Sequence, residues 1–363
     1  MYMSRGFIIL LVLIVVLIAA SSVTAAPILH ILERSDDSIT IKDIQDREVT
    51  IEGPVEKIVV FDAYCQITST LKAIGAYDKI IGVDLETSKE QFLFPAIEEK
   101  NVIGTKAEFD LEALLELDPD VIFDVPLGSE VQQMEDAGLA VVLVSFYPNN
   151  QDYFEPCIEN VRVLGAIVGA EETANEFADW KKEHLGIIRE KVSNLNAGEK
   201  VSALYTYEWS DLTVSSSGLK NRFHSVLDFL GAKDVNNNFD VERVILDPKQ
   251  IIIKNPQFII FEEMNHMSGY DITDVSAMQH GLSAIRSLPG FETVDAVKNK
   301  NIYGLPSILL SGDTWLATIY LAPIFYPDLF SDFDPIAIHQ EYVDKYLQLD
   351  MDISDDTFIY PRV

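Results

Sequence analysis

Cysteine is scarce in this chain of 363 residues, which contains only Cys65 and Cys157. Two cysteines are too few for a disulfide scaffold, and these two lack the CxxC spacing that zinc sites and redox motifs use. One disulfide and two buried free thiols are both compatible with the sequence.

Basic residues are also in short supply, because 58 acidic residues accompany only 27 basic ones and give a formal net charge of −31. Such an excess of negative charge opposes binding to nucleic acid or to anionic membrane surfaces. No basic stripe departs from this balance. We therefore predict a soluble body with no nucleic-acid partner.

Catalytic and metal-binding motifs are missing from the sequence. No GxSxG, HExxH, P-loop or GxGxxG motif follows a strand pattern, and SSSG at 215–218 lacks the strand-turn-helix context of a nucleophile. The 6 histidines are scattered, whereas capture of zinc or manganese usually needs several converging ligands. We predict no enzyme, no catalytic residue and no metal ligand. A zinc or manganese carrier and a secreted hydrolase are the weaker alternatives.

Long apolar runs occur only at the N-terminus. Arg5 precedes an apolar run at 7–20, and small residues follow as far as Ala26, which is the pattern of an export signal cut near Ala25 or Ala26. Counted through Ala26, the segment approaches the roughly 20 residues that span a bilayer. Residues 1–26 are therefore a signal peptide or an N-terminal membrane anchor. In either case we predict an extracytoplasmic protein, in the periplasm or at the cell surface.

One pattern is present twice: an amphipathic run, a polar-proline stop and a wholly apolar run. In LEALLELDPDVIFDV (111–125) the leucines fall at helical spacing behind Asp110, a candidate N-cap, and Pro119 ends the helix. Asp247 stands in the same relation to Pro256 in the second copy, QIIIKNPQFIIFE (250–262). Apolar runs without alternation are typical of strands covered on both faces in a parallel sheet. Each copy therefore predicts helix, break and buried strand.

A second repeated sequence pattern occurs in the same order along the chain. LKAIGAYDKIIGVD (71–84) and LDFLGAKDV (227–235) share Leu, two residues, an aliphatic residue, Gly-Ala, one residue and Asp, with Gly75 and Gly231 placed as helix C-terminal glycines. The chain also exceeds the length that one core usually holds. We predict two related α/β lobes, each with a mostly parallel central sheet.

The region between the lobes reads as one continuous helix. Gly169 closes a preceding helix, and the run from Glu171 to about 195 has uninterrupted helical composition, which corresponds to roughly 36 Å of helix. A flexible linker would be rich in Gly, Ser or Pro instead. The predicted domains are an N-terminal lobe (27–168), an interlobe helix (169–196), a C-terminal lobe (197–330), and a C-terminal helix and tail (331–363).

This layout resembles the substrate-binding proteins of ABC importers for iron-siderophore, haem and cobalamin-type solutes, which have one long helix between lobes. The resemblance covers about residues 38–350. It is carried by ITIKDIQDREVTIEGPVEKIVVFDAY, LKAIGAYDKIIGVD, VIGTKAEFDLEALLELDPDVIF, LGAIVGAEETANEF and LPGFETVDAVKNKNIY. It implies no intrinsic cofactor, capture of an iron chelate, haem or corrinoid between the lobes, and delivery to a membrane permease with its ATPase.

Loops that follow strands should line the cleft, because ligands of open α/β sheets sit beyond the carboxyl ends of the strands. Asp62, Phe146 and Ser307 lie in such loops. The predicted ligand-binding residues are Tyr64, Gln66, Lys106, Tyr147, Tyr207, Trp209, Arg222 and His266.

Each of these residues has a structural alternative. The aromatic residues of YTYEWSD suit planar ligands but could point partly into the core. Arg222 could clamp a carboxylate or phosphate, or it could be a surface charge at a helix start. His266 could be a hydrogen-bonded loop residue rather than a ligand contact.

Docking to the permease is also implied by the resemblance. In the family a glutamate on the outer face of each lobe pairs with permease arginines, an arrangement that steers association. Glu130 fits the first lobe. In the second lobe Lys249 occupies the usual glutamate position, which leaves Glu242 or Asp247 as substitutes.

Overall fold

The computed structural model describes residues 28–62, 64–105, 108–124, 130–146, 154–210, 212–263, 270, 274–309, 314–354 and 358–361. The predicted signal peptide or anchor at 1–26 lies outside the described residues. Within them, no helix combines the length and the apolar character needed to cross a bilayer.

A small antiparallel sheet opens the described chain. Its strands, in spatial order, are β1 (His30–Arg34), β2 (Ser38–Lys42) and β3 (Glu48–Glu52). Ile39 pairs with Ile51 and Ile41 with Val49, and all four side chains are buried. Their alternation with exposed polar residues gives the sheet one face toward the core. ITIKDIQDREVTI, part of a segment that carries the family resemblance, forms the β-hairpin of β2 and β3.

The first lobe is built on a five-stranded parallel sheet. Its strands are β4 (Ile58–Phe61), β5 (Ile80–Val83), β6 (Asn101–Val102), β7 (Val121–Asp124) and β8 (Val141–Leu143), in the order β6-β5-β4-β7-β8. Its helices are α1 (Gln66–Ala73), α2 (Leu111–Leu117), α3 (Glu130–Asp136) and α4 (Phe154–Val168), with 3₁₀ turns at Tyr77–Lys79, Thr87–Lys89 and Ile97–Glu99. β4 and β7 are buried throughout, as their apolar sequences predict.

A single helix, α5 (Glu171–Ser193), leads from the first lobe to the second and has 23 residues. Gly169, with φ +72, ends α4 in the left-handed conformation that glycine adopts readily. α5 packs closely along α4, since a Cβ on Gly165 of α4 would lie 2.2 Å from the Cβ of Ala174. The predicted long helix between the sheets is confirmed.

The second lobe has a mixed sheet. Its strands are β9 (Ser202–Trp209), β10 (Val214–Ser217), β11 (Lys233–Asp234), β12 (Arg243–Leu246), β13 (Phe258–Glu263) and β14 (Ile302–Pro306). The order is β12-β10-β9-β13-β14, with β11 beside β9. β10 and β12 are antiparallel to their neighbours, while β9, β11, β13 and β14 run parallel.

Helices cover this sheet and complete the chain. They are α6 (Arg222–Phe229), α7 (Pro248–Lys254), α8 (Ser276–Arg286), α9 (Asp295–Lys298), α10 (Thr314–Phe325) and α11 (Pro335–Glu341), with a 3₁₀ turn at Phe291–Thr293 and a π-helical turn at Tyr342–Tyr346. His339 of α11 is fully buried between the hydroxyls of Tyr270 and Tyr320. The tail is therefore anchored in the body.

Both repeated sequence patterns form the same structures in the two lobes. Asp110 accepts a hydrogen bond from Ala113 N at the start of α2, and Asp247 forms a capping box at the start of α7. α2 and α7 end at Asp118 (φ 47) and Asn255 (φ 45), and then lead into β7 and β13. α1 and α6 are likewise followed by Gly75 (φ +81) and Gly231 (φ +67). The structure confirms two α/β lobes joined by α5.

Candidate functional site

The two lobes face each other at Tyr64 and Arg222. Tyr64 follows β4 in the first lobe, and Arg222 is the first residue of α6 in the second. The Arg222 guanidinium lies 5.7 Å from the centroid of the Tyr64 ring. A cation this close to an aromatic face is attracted by the ring quadrupole. Two predicted ligand residues, one from each lobe, therefore meet across the cleft.

Buried carboxylates support the loop that carries Tyr64. The backbone N–H of Asp62 donates to Asp84 Oδ2 at 2.7 Å, and Thr87 Oγ1 donates to the same oxygen at 2.7 Å. Asp62 Oδ2 accepts from Thr68 N at 2.9 Å. Burial raises the pKa of Asp62 well above its ordinary value, and the nearby Asp84 charge adds to the effect. Asp62 therefore braces the loop from inside, rather than facing a ligand.

Tyr207 joins the Arg222 side of the cleft. Its hydroxyl accepts a hydrogen bond of 2.5 Å from Asn221 Nδ2, and the Arg243 guanidinium lies 4.2 Å from its ring centroid. Asn221 also caps α6 by accepting from Phe223 N at 2.9 Å. Burial raises the pKa of Tyr207, while the nearby Arg222 charge opposes the rise. The charges of both Arg222 and Arg243 therefore act on this tyrosine.

A buried carboxylate lies behind these cations. The hydroxyl of Tyr205 donates to Glu262 Oε2, and Ser307 Oγ donates to Glu262 Oε1 at 2.7 Å. Glu262 is only 6% exposed, and its charge and that of Arg222 both act on Tyr205. Burial is the main reason that the pKa of Tyr205 is raised. The second-lobe wall therefore combines guanidinium groups with a buried carboxyl group that two hydroxyls hold in place.

A β-bulge separates Trp209 from this group. Ser215 pairs with Glu208 but Ser216 pairs with Thr206, so Tyr207 is the extra residue on β9. A bulge shifts the alternation of side chains between the two faces of a sheet. Trp209 consequently packs against Phe291 in the core on the far side of the sheet, with ring centroids 5.9 Å apart. The sequence placed these residues in a loop, whereas pairing with β10 extends β9 through Trp209. A ligand contact by Trp209 stays a prediction.

Gln66 lines a small cavity where the lobes meet α5. The cavity has a volume of about 20 Å³. Its other lining residues are Thr70, Phe146, Phe154, Cys157, Ile158, Lys181, Leu185, Thr314 and Trp315. The first lobe, α5 and the second lobe all contribute residues to its lining.

Several predicted residues lie elsewhere. Lys106, Tyr147 and His266 are outside the described residues. Glu130 is the first residue of α3, and Glu242 is exposed just before β12. Docking by these two glutamates stays a prediction. Asp247, the alternative to Glu242 in the second lobe, caps the start of α7.

Sequence reasoning missed Asn221, Arg243, Glu262 and Lys181. Lys181 had a detectable signal, because it falls on the apolar stripe of α5 between Phe177 and Leu185. The other three are brought to the site by strand pairing and helix capping, which local sequence does not report.

Both cysteines are free and buried, which answers the question left open by the sequence. The Cys157 thiol donates to the carbonyl oxygen of Phe146 at 2.9 Å, and burial raises the pKa of Cys157 to about 12. Within the described residues, no group of three or more His, Cys, Asp or Glu side chains could hold a metal ion.

Comparison with known proteins identifies the architecture. The family model described as periplasmic binding protein matches residues 63–309. The uncharacterized ABC transporter substrate-binding lipoprotein YvrC of Bacillus subtilis is 24% identical over 305 residues, covering 81% of this chain and 87% of its own. The molybdate-binding protein MolA of Haemophilus influenzae is 21% identical over 345 residues, covering 84% of this chain and 90% of its own.

Solved structures share the fold. The TroA-like periplasmic binding protein FepB from Veillonella parvula aligns with a TM-score of 0.72 and 21% identity, over 88% of this chain and 98% of its own. MolA bound to molybdate aligns with a TM-score of 0.69 and 19% identity, over 86% of this chain and 98% of its own.

Proposed function

The chain belongs to the periplasmic binding protein family, and we propose that it captures an anionic metal chelate between Tyr64 and Arg222 for delivery to an ABC importer. The lipoprotein relative supports an extracytoplasmic location and a partnership with a permease and its ATPase. The family resemblance supports binding rather than catalysis. No cofactor is required by this mechanism, because the cargo is the only ligand.

The proposal of an anionic ligand rests on the positions of two arginine side chains. The Arg222 guanidinium lies against Tyr64 of the opposite lobe, and Arg243 lies against Tyr207 beside it. Arginine offers a planar fork of donors that matches carboxylates, phosphates and similar oxyanions. The aromatic rings offer flat faces to a planar or aromatic ligand. The site therefore suits a ligand that is both negatively charged and partly aromatic or apolar.

The positive charge of the cleft arginines is opposite in sign to the net charge of the whole molecule. A formal net charge of −31 repels anions at long range, although salt screens this repulsion beyond about 8–10 Å. Inside the cleft the Arg222 and Arg243 guanidinium groups act at short range, where charge interactions strengthen as the dielectric constant falls. Glu262 beneath them offsets part of the positive charge, so the wall favours anions without binding every small anion tightly.

Among the predicted cargoes, anionic ferric siderophores and haem, with its propionates, fit this wall better than neutral or cationic chelates. Corrinoids remain in the predicted set. Similarity to the molybdate-binding protein MolA favours a second candidate, a small oxyanion such as molybdate, which the same guanidinium groups could bind. The zinc and manganese alternative is tested by the same experiment.

The experiment is a titration of the purified extracytoplasmic part of the chain. The ligands are ferric enterobactin and ferric citrate (anionic), ferrichrome (neutral), ferrioxamine B (cationic), haemin, cyanocobalamin, molybdate, zinc chloride and manganese chloride. We expect an anionic chelate or haemin to bind most tightly. Preference for ferrioxamine B or for a bare divalent cation would refute the charge assignment.

The matched variants are Arg222→Met and Arg286→Met. Loss of one charge-assisted contact of about 1.5–3 kcal/mol predicts a loss of affinity of roughly 10- to 100-fold for Arg222→Met. Arg286 is exposed in the last turn of α8 and should be silent. Equal affinities of the two variants would show that Arg222 does not contact the ligand.

A further inference from the structure

Asn221 connects two parts of the second-lobe wall. It directly precedes α6 and is only 3% exposed. Its side-chain oxygen Oδ1 accepts a hydrogen bond of 2.9 Å from the backbone N–H of Phe223, and its side-chain nitrogen Nδ2 donates one of 2.5 Å to the hydroxyl of Tyr207 on β9. One buried amide therefore both caps α6 and contacts a predicted ligand residue.

The backbone fixes which end of the Asn221 amide faces Tyr207. The oxygen and the nitrogen of an amide have similar shapes, so shape alone does not decide the orientation. A backbone N–H can only donate, so the atom that faces Phe223 N must be the accepting oxygen. The reverse orientation would point two sets of N–H groups at each other in a buried site and would remove the cap of α6. Nδ2 therefore faces the Tyr207 hydroxyl and donates to it.

This hydrogen bond leaves the proton of the Tyr207 hydroxyl available to another molecule. A tyrosine hydroxyl has one proton to donate and an oxygen that accepts, whereas an amide nitrogen only donates. Tyr207 therefore cannot donate to Asn221. Within the part of the chain that the structure describes, no other group forms a hydrogen bond with the Tyr207 hydroxyl. Tyr207 is half-buried, so a bound solute can reach it.

Charged neighbours make Tyr207 a stronger donor. Burial raises the pKa of Tyr207, which keeps the phenol protonated, while the positive charges of Arg222 and Arg243 oppose this rise and the Glu262 charge adds to it. The Arg243 guanidinium lies 4.2 Å from the centroid of the Tyr207 ring. A protonated phenol beside cations donates its strongest hydrogen bonds to negatively charged oxygens. The same arginines attract such oxygens.

We propose that Asn221 is a positioning residue that sets Tyr207 as a hydrogen-bond donor to the solute, so that the solute presents an acceptor oxygen at this point. The part concerning the solute rests on the proposed function. It deepens that function by naming the group that faces Tyr207: a carboxylate, catecholate or hydroxamate oxygen fits, and an N–H or ammonium group does not. Asn221 itself acts through Tyr207 and need not touch the solute.

The direction of the hydrogen bond between Asn221 and Tyr207 can be tested without a ligand. A difluorotyrosine at position 207, with fluorine at both positions ortho to the hydroxyl, titrates at lower pH than tyrosine and reports its ionisation by fluorine NMR. A hydrogen bond donated to the phenol oxygen favours the ionised form, whereas one donated by the phenol favours the neutral form. Asn221→Thr should therefore raise the pKa of the difluorotyrosine. A lowered or unchanged pKa would overturn the positioning role.

A double-mutant cycle separates positioning from capping. Asn221→Thr keeps an oxygen that can cap α6 and loses the amide that donates to Tyr207. We expect it to weaken solute binding several-fold in the parent and to have no effect in a Tyr207→Phe background. A residue that only stabilised α6 would have the same effect in both backgrounds. The matched control, Asp110→Thr, changes the cap of α2 and should leave the affinity unchanged.

The ligands for this cycle are haemin, ferric enterobactin and ferric citrate. Tyr207→Phe should weaken binding of the tightest of them by about 10- to 100-fold, the loss expected for one hydrogen bond to a charged group. Unchanged affinity of Tyr207→Phe, or equal effects of Asn221→Thr in both backgrounds, would overturn the contact with the solute. If the parent binds none of the three, the proposed function fails for them and the solute contact fails with it, while the fluorine titration still decides the positioning of Tyr207.

Discussion

The close packing of α4 against α5 at Gly165 leads to a quantitative prediction. Replacing Gly165 of α4 with alanine would place a Cβ 2.2 Å from the Cβ of Ala174 and 3.1 Å from the carbonyl oxygen of Ala170. Apolar carbons prefer separations of about 3.5–4.0 Å, so α4 and α5 would have to move apart by more than 1 Å locally. Overpacking of this kind typically destabilises a protein by about 1–3 kcal/mol.

A second glycine provides the matched control. Gly186 lies within α5, and a Cβ there would meet nothing within 4 Å. Alanine in an open helix interior is favoured over glycine by about 0.8–1.0 kcal/mol. This gain applies to both variants, so their difference in stability isolates the overpacking. We expect Gly165→Ala to be less stable than Gly186→Ala by about 2–3 kcal/mol, the upper part of the overpacking range.

Urea unfolding followed by circular dichroism measures both free energies. The double variant Gly165→Ala/Ala174→Gly removes the second Cβ of the clash and should recover part of the loss. Equal stabilities of Gly165→Ala and Gly186→Ala would refute the close packing of α4 on α5. A double variant less stable than the sum of the two single changes would point instead to an independent role of Ala174.

Other predictions concern pH, capping and thiol chemistry. The hydrogen bond that His224 Nδ1 donates to Asp234 Oδ2 raises the pKa of His224. The stabilisation by this bond is therefore full below the ordinary histidine pKa of about 6.5 and is lost as the pH rises through the raised pKa of the folded state. His224→Gln should remove this part of the pH dependence of stability in urea unfolding. Asp110→Ala should destabilise the chain by about 1 kcal/mol through loss of the α2 cap, measured in the same assay. Cys65 and Cys157 should resist a thiol reagent in the native protein and react after unfolding, and rapid native labelling would contradict their burial.

The repeated halves of the fold were accessible to sequence reasoning because their signals are local. Asp110 and Asp247 cap helices whose apolar spacing is visible in the sequence, and Pro119 and Pro256 mark where those helices have ended. Buried strands follow as unbroken apolar runs. These features depend on neighbouring residues, so one sequence is enough to predict them.

The site was only partly accessible because it depends on long-range pairing. Tyr64 and Arg222 were predicted and meet, although they belong to the sheets of different lobes. Tyr207 and Trp209 were expected together, but the bulge at Tyr207 directs them to different faces. Arg243 reaches Tyr207 only because β12 pairs with β10, a consequence of tertiary structure rather than of local sequence.

The central claim is that one solute contacts both lobes at Tyr64 and Arg222. Hydrogen–deuterium exchange, measured while the tightest-binding chelate of the titration set is added, tests it most directly. Peptides covering the starts of α1 and α6 should become protected from exchange together. Their protection should be half complete at the chelate concentration that half-saturates the protein in the titration. Protection confined to one lobe, or protection that leaves both helix starts unchanged, would contradict the account.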